Sequence, residues 1–473
     1  MTELRPVRIG ADAVTTGETT SVRSPFDGHE IARVPTCTAE HVDRAVAAAK
    51  EHLADPLPAW QRAEVLEAAA TVLAAHREEL ARTIAEEAAK PIGTARTEAE
   101  RAVLTFRFAA VEARSLVGEI VPMDVAQPGV GKLAFTLRVP MGVVGAISPF
   151  NFPLNLVAHK IAPAIAAGCP VVLKPASQTP LSAIRLVELL IDECGLPAGY
   201  VNVVTGGGGT VGNALVDHPD IALITFTGSP DVGWGIKQRA PRKQVNLELG
   251  NNSPCIIEAS ADWQLAADKI KVAGFSHAGQ SCISTQRIYV HRSLVETFTK
   301  ALVANVAELR VGDPLDEDTD VSALISESET ERVRDWIAEA VAGGAHVAAG
   351  GDLVDGVLQP TVLTDVTPDM QVCRGEVFGP VVAVAAYDEL DEALALANDT
   401  RYGLQAAIFT AELATALTAA RTLDFGGVLV NEVPTFRTDQ MPYGGVRDSG
   451  NTKEGPHDAV RAMTRERLVI FQP

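Results

Sequence analysis

Apolar residues recur at three- and four-residue spacing from Ala39 to Gly118, a period that predicts helices. Trp60–Ala75 and Glu78–Lys90 are Ala- and Leu-rich segments of this kind, and the Pro91/Gly93 pair in KPIGTA breaks the run before a further helix through Val117. Residues 1–20 carry few apolar positions and read as a loose lead-in. After Gly118 the period changes to two. In KLAFTLRVP, Leu133, Phe135 and Leu137 share one face of a strand, within a hairpin predicted to project from the domain.

From Val143 onward short apolar runs alternate with helical segments. VVGAISP, PVVLKP, VNVVTG, ALITFTG and VNLELG read as buried strands, separated by helices at Leu154–Ala167, Pro180–Glu193, Val211–Asp217 and Pro230–Arg239. This rhythm predicts an α/β fold with a doubly wound parallel sheet, whose ligands sit at the carboxyl ends of the strands. The second half repeats the style with RIYVH, LQPTVLTDV, PVVAVAAYD, AAIFTA and GGVLVNE, and reads as a second α/β domain; ERLVIFQP is a last strand. No low-complexity linker separates the halves, so they are expected to dock tightly.

Composition narrows the function. In 473 residues, 60 acidic side chains outnumber 40 basic ones for a formal charge of −20, a field that repels phosphate backbones and anionic lipid. No nucleic-acid or membrane partner is expected. Ile161–Leu173, the longest nearly apolar run, is broken by Pro163, Gly168 and Pro170 and is too short to span a bilayer; Met1–Gly10 has no signal-peptide core. The six cysteines lie far apart with no zinc-type spacing, which predicts a reduced, cytoplasmic protein without a structural metal.

Candidate chemistry gathers at the predicted strand ends. Gly207–Gly212 fits Gly-x-Gly-x-x-Gly between a strand and a helix, but no acidic residue closes the following strand, so a dinucleotide turn and a plain Gly-rich turn both remain open. In FTGS, Gly228 permits close backbone approach and Ser229 can cap a helix whose N–H groups face an anion. Lys174 closes an apolar strand, either as a solvated exit residue or as an anion ligand. Cys282 in HAGQSCIST has small polar neighbours, unlike the other five cysteines, and reads as a nucleophile or an inert thiol. Glu248 is a carboxylate at the end of an apolar strand, either facing outward with Asn246 or acting as a general base with a raised pKa. Asn151 in SPFNFPLN can donate to an oxyanion or cap the helix that follows.

Taken together, PFNFPL, KPASQTP, ITFTGS, LELGNNSP, GQSCIS, EVFGPV, YGLQAAIFT and MPYGGVRDSG, in this order and spacing, resemble the aldehyde dehydrogenase superfamily from about Pro25 to Leu468. The resemblance implies a variant Rossmann cofactor domain, an α/β catalytic domain and a β-hairpin oligomerisation arm. It assigns Cys282 as the catalytic thiol, Glu248 as the general base and Asn151 as the oxyanion-hole amide. It places Lys174 on the adenosine ribose, Gly228 and Ser229 at the pyrophosphate, and Glu376 and Phe378 at the nicotinamide end, with Ser177 and Gly250 also in the cofactor site. By the same resemblance Gly207 only borders the adenine pocket. The cofactor implied is NAD or NADP.

Two departures matter. The family's usual second glycine after the base's Gly is Asn251 here, and Ser177 stands where many NAD-specific members carry a ribose-binding glutamate. A short neutral residue leaves room for a 2′-phosphate, so NADP is expected to be accepted. GQSCISTQRIYVH and NEVPTFRTDQMPYGGVRDSG look most like the lactaldehyde and phosphonoacetaldehyde branch, which predicts a small aldehyde such as lactaldehyde or glycolaldehyde. Succinate semialdehyde and phosphonoacetaldehyde are the alternatives, with Arg101, Arg107 and Arg437 as candidates for an anionic tail. Ser281 and Phe152 beside the catalytic positions weigh against phosphonates, and Glu248 weighs against a CoA-acylating enzyme. The set Cys282, Glu248, Asn151 and Glu376 weighs against a non-catalytic binding protein. The expected organisation is a cofactor domain at 1–116 and 140–248, a catalytic domain at 249–443 and an arm at 117–139 and 444–473, in a homodimer or homotetramer.

Overall fold

The computed structural model describes residues 3–472. Five strands form the first sheet: β1 (Val143–Ile147), β2 (Val171–Lys174), β3 (Val201–Val203), β4 (Ile221–Thr227) and β5 (Gln244–Glu248). All pair in parallel in the order β5-β4-β1-β2-β3, with the chain reversing direction across the sheet at β1. The register sets Lys174 beside Ile147, Ile147 beside Phe226, and Thr227 beside Glu248, so four strands end along one edge. That edge is where a doubly wound sheet receives a ligand.

Helices cover both faces. Asn155–Ala167 is buried at every position, which explains why it is apolar all round rather than amphipathic. Its first N–H groups, on Leu154 and Asn155, donate to the Glu98 carboxylate at 2.9 and 3.1 Å. The helix Leu181–Asp192 is capped in the same way, its first N–H groups donating to Glu87 at 2.7 and 2.9 Å. Buried carboxylates at helix N-termini satisfy donors that have no partner within the helix. Both come from the N-terminal helices Arg77–Ala88 and Ile92–Ser115, which tie that region to the sheet.

The second sheet has seven strands: β6 (Ser253–Ile257), β7 (Thr285–His291), β8 (His346–Ala349), β9 (Thr361–Thr364), β10 (Val381–Tyr387), β11 (Gln405–Phe409) and β12 (Gly427–Val430). Their order is β8-β9-β10-β7-β6-β11-β12, parallel except for β8. Strand β6 was not expected from the hydrophobic pattern, because its run is only SPCII and opens with a serine and a proline; yet all five residues are buried at the centre of the sheet.

The expected loose lead-in is structured instead. Val7–Ile9 and Asp12–Val14 pair antiparallel, and Thr19–Arg23 pairs with Glu30–Pro35. Val7 and Ile9 are buried, and the Gly10 N–H donates to Asn202 Oδ1 on β3 at 2.8 Å. A few apolar residues suffice because this hairpin only has to cover one edge of an existing core.

A further sheet has three strands. Leu133–Pro140 pairs antiparallel with Thr464–Phe471 on one side and Ile120–Val121 on the other. Leu133 and Leu137 are exposed on it, as are Leu468, Ile470 and Phe471. Residues 444–463 precede that C-terminal strand and lie against the first sheet and its helices. Asn451 Oδ1 accepts from the Leu247 N–H, and the helix Pro456–Ala462 packs on Ile92–Ser115 and Asn155–Ala167.

Candidate active site

Between the two sheets lies a cavity of 370 Å³ that reaches from Cys282 past Asn151, Glu376 and Phe378 to Gly228, Ser229 and Ala176. A second hollow of 250 Å³ continues from Ala176 past Ser177 to Gly207. Cys282, Asn151, Gly228, Ser229, Gly250, Glu376 and Phe378 line the first cavity and Ser177 and Gly207 the second, while Glu248 and Lys174 line neither.

Cys282 is delivered by an unusual turn. After the helix Trp263–Phe275 the chain runs through His277 (φ 50°), Ala278 (φ 52°) and Gly279 (φ 69°), three successive left-handed residues. Such backbone is costly for side-chain-bearing residues and persists only where the surroundings fix it. Here Gln280 fixes it, its N–H donating to His277 O at 3.0 Å while its Oε1 accepts from the Ile325 N–H at 2.9 Å. Cys282 Sγ lies 2.8 Å from the Tyr443 hydroxyl. Burial pushes the thiol up to about 12, against the pull of Tyr443 and Arg437. Of the other cysteines, Cys37 Sγ lies 3.8 Å from the Thr205 hydroxyl and Cys169 Sγ donates to Met463 O at 3.2 Å; Cys37, Cys169, Cys194 and Cys255 are buried, and all six are free thiols.

Glu248 ends β5 and is buried together with Asn246 on that strand, so the outward-facing alternative is not realised. Neither of its oxygens has a hydrogen-bond partner. Burial, reinforced by the negative charge of Glu454, raises its carboxyl well above the usual range, against the pull of Arg437, Lys160 and Lys453. Asn151 is also buried and does not cap the helix that follows. Its Nδ2 donates to Gln280 O at 2.9 Å, and its own carbonyl accepts from Lys90 Nζ at 2.6 Å. Lys90 in turn forms a fully buried ion pair with Glu98. The amide is thereby locked, with a second N–H left free for another acceptor.

The residues expected at the cofactor are placed as follows. Lys174 is buried rather than solvated, its ammonium donating only to Pro175 O at 3.1 Å, and burial lowers it to about 8. A buried cation without a carboxylate partner suits an anionic or hydroxyl-rich ligand. Ser229 precedes the helix Pro230–Arg239, but its side chain makes no capping bond, contrary to the expected cap. Glu376 accepts from the Asn251 N–H at 2.9 Å, and burial raises its carboxyl to about 7. Asn251, which replaces the usual glycine, also donates to Ser253 Oγ and Gln405 O, so the substitution braces the turn that holds Glu376. Phe378 takes a left-handed φ of 48° and meets Phe150 edge-on at 5.8 Å. A carboxylate at one end, a helix N-terminus in the middle and a buried lysine at the other fit a nicotinamide dinucleotide.

Some participants were not legible beforehand. Tyr443 stands 161 positions after Cys282, and nothing in MPYGGV announces the contact. Arg437 and Arg101 turn out to be paired, Arg437 with Glu454 at 2.9 Å and Arg101 with Asp439 at 2.9 Å. Asp439 also binds His159 at 2.9 Å and Asn155 at 3.1 Å. Arg107 lies apart, exposed beside Arg77 and Glu100. No group of three His, Cys, Asp or Glu side chains placed to hold a metal occurs among the described residues, and no helix there is long and apolar enough to cross a membrane.

Comparison with known proteins identifies the family. The model of the aldehyde dehydrogenase family matches residues 13–469. A 3-sulfolactaldehyde dehydrogenase of Priestia aryabhattai is 45% identical, with 100% of each chain covered. A lactaldehyde dehydrogenase of Methanococcus aeolicus is 37% identical over 95% of this chain and 96% of its own. The crystal structure of NADP-dependent glyceraldehyde-3-phosphate dehydrogenase from Bacillus halodurans C-125, complexed with NADP, superposes with a TM-score of 0.96 at 36% identity, covering 100% of this chain and 99% of that one. With fold, cleft and full-length similarity in accord, the chain belongs to the aldehyde dehydrogenase family and is an NAD(P)-dependent enzyme.

Proposed function

We propose that this enzyme oxidises a small α-hydroxy aldehyde, 3-sulfolactaldehyde or lactaldehyde, to the carboxylate. The observation that carries the choice is an unpartnered donor buried next to Tyr443, the neighbour of the thiol. Arg437 lies 3.8 Å over the Tyr443 ring, and its Nε is buried without a hydrogen-bond partner. An unsatisfied donor favours a substrate with oxygen acceptors over a plain aliphatic chain. Full-length similarity to enzymes named for these two aldehydes supports the same reading.

The chemistry follows from the residues. The Cys282 sulfur forms a bond to the aldehyde carbon as the carbonyl electron pair moves to oxygen, and the free N–H of Asn151 with the Cys282 backbone N–H holds that oxyanion. A bound nicotinamide dinucleotide serves as the two-electron acceptor. Glu248, with no competing partner, takes a proton from the water that cleaves the resulting thioester. Glu376 and Phe378 orient the nicotinamide end and Gly228 and Ser229 the phosphates, all of them lining the cavity, while the buried Lys174 serves the ribose.

Around Ser177 the hollow is lined by Thr20, Thr36 and Thr205 and by no acidic residue, which supports NADP as well as NAD. Six free thiols fit a reducing compartment such as the cytoplasm. The exposed apolar face of the arm, with Leu133 and Leu137, fits pairing between copies as a homodimer or homotetramer, and a monomer by light scattering would contradict it.

The test is a panel of lactaldehyde, 3-sulfolactaldehyde, glycolaldehyde, succinic semialdehyde, phosphonoacetaldehyde and aliphatic aldehydes with both cofactors. An α-hydroxy aldehyde is expected to show the highest kcat/KM. Faster turnover of succinic semialdehyde or of an aliphatic aldehyde would overturn the reading.

A further inference from the structure

Tyr443 has no structural need for its hydroxyl. The ring packs with Ile283, Leu404 and Met441, a site that a phenylalanine would fill as well. The single hydrogen bond of the hydroxyl is to Cys282 Sγ at 2.8 Å. Buried hydroxyls are seldom retained without a partner that needs them, and here the partner is the reacting atom itself.

We propose that Tyr443 is a catalytic residue that donates a hydrogen bond to the Cys282 sulfur and stabilises it as the thiolate. While the sulfur carries its proton, either atom can donate. Once the sulfur is a thiolate, only the hydroxyl can, and a hydrogen bond to an ionised acceptor is the stronger kind. The phenol keeps its proton throughout: burial first, and then the proximity of Cys282, hold Tyr443 well above its ordinary range. Arg437, 3.8 Å over the ring, adds positive charge that favours both the thiolate and donation from the hydroxyl.

The other charged groups facing this pair act in opposite senses. Glu376 and Glu454 disfavour the thiolate, Arg437 favours it, and Glu248 faces the phenol. Without Tyr443 the sulfur would have no hydrogen-bond donor among the described side chains to offset its burial.

The experiment compares the parent protein with Tyr443→Phe, following alkylation of Cys282 by iodoacetamide across pH and identifying the labelled cysteine by mass spectrometry. The inflection should move to higher pH, with labelling at neutral pH slowed about tenfold, the equivalent of one charge-assisted hydrogen bond. Aldehyde kcat/KM should fall by a similar factor while KM for the dinucleotide stays put. A thermal melt checks the fold, since a merely packing role would alter stability but leave the alkylation profile in place. A profile that superimposes on the parent's overturns the proposal, whatever the activity does. Alkylation requires no aldehyde, so an error in the substrate reading leaves this test intact.

Discussion

The Glu376 carboxylate occupies the space that a side chain at position 250 would fill: a β-carbon on Gly250 would lie 2.8 Å from Glu376 Cδ and closer still to Oε2. The glycine and the acid are one unit, held by the Asn251 N–H on Glu376 Oε1. Gly250→Ala should therefore displace Glu376 and raise KM for the dinucleotide about tenfold, as loss of a charged hydrogen-bonding group would. Cys282 alkylation should not slow, because the displaced Glu376 carboxylate is a charge that disfavours the thiolate. Steady-state kinetics with a varied dinucleotide would decide it.

Asn151→Ala removes the only side-chain donor proposed for the oxyanion. Loss of one such donor typically costs about 10²–10³ in rate. The drop should appear in kcat with little change in dinucleotide KM. A stopped-flow measurement of the first turnover separates this from slow product release.

Glu248→Gln should uncouple the two halves of the reaction. A burst of reduced dinucleotide is expected, followed by slow turnover as the thioester waits for hydrolysis. In the parent, burial and then Glu454 raise the Glu248 carboxyl. The base form is therefore lost as pH falls through that raised pKa, and kcat should decline on the same limb. In the Gln variant the limb should vanish from the residual rate.

Ser177 hydrogen-bonds Gly206 O at 3.1 Å from a hollow without acids. Ser177→Glu should place a negative charge where a 2′-phosphate would go. The ratio of kcat/KM for NADP to that for NAD should drop by at least about tenfold, the scale of one unfavourable charge contact. An unchanged ratio would locate cofactor choice elsewhere.

Asp439 is buried, and despite the cost of burial His159 and Arg101 hold its carboxyl well below the usual range. Its contribution to stability is present above the ordinary Asp pKa and is lost as pH falls through the lower folded value. Asp439→Asn leaves Arg101 and His159 without their charged acceptor and should cost about 3 kcal/mol near neutral pH. The gap between variant and parent should narrow toward strongly acid pH, read by thermal melts at several pH values.

Much of this architecture was written locally. The strands of the first sheet are buried on both faces at nearly every position, so each appears as an apolar run, and the helices between them end within a residue of where the pattern says they do. Residues 3–23 and Ser253–Ile257 were harder to read for a common reason. Their apolar content is small, and their strands exist because a neighbour supplies the rest of the core: β3 with Asn202 for the first, β7 and β11 for the second. The site divided in the same way. Cys282, Glu248 and Asn151 each stood out as a misfit in its own segment, and family order linked them. Tyr443 looks like an ordinary aromatic in its segment and was invisible.

The sequence by itself pointed to most of the elements, to the family and to three candidate reacting side chains, because periodicity and chemical misfit are properties of short stretches of chain. Only the tertiary structure decided what surrounds those side chains. It was packing that left the Glu248 oxygens without partners, Lys174 without a counter-ion, and Cys282 facing a hydroxyl 161 residues away. A pKa is set by burial and by the nearest charge, and both depend on residues that the chain brings together only when it folds.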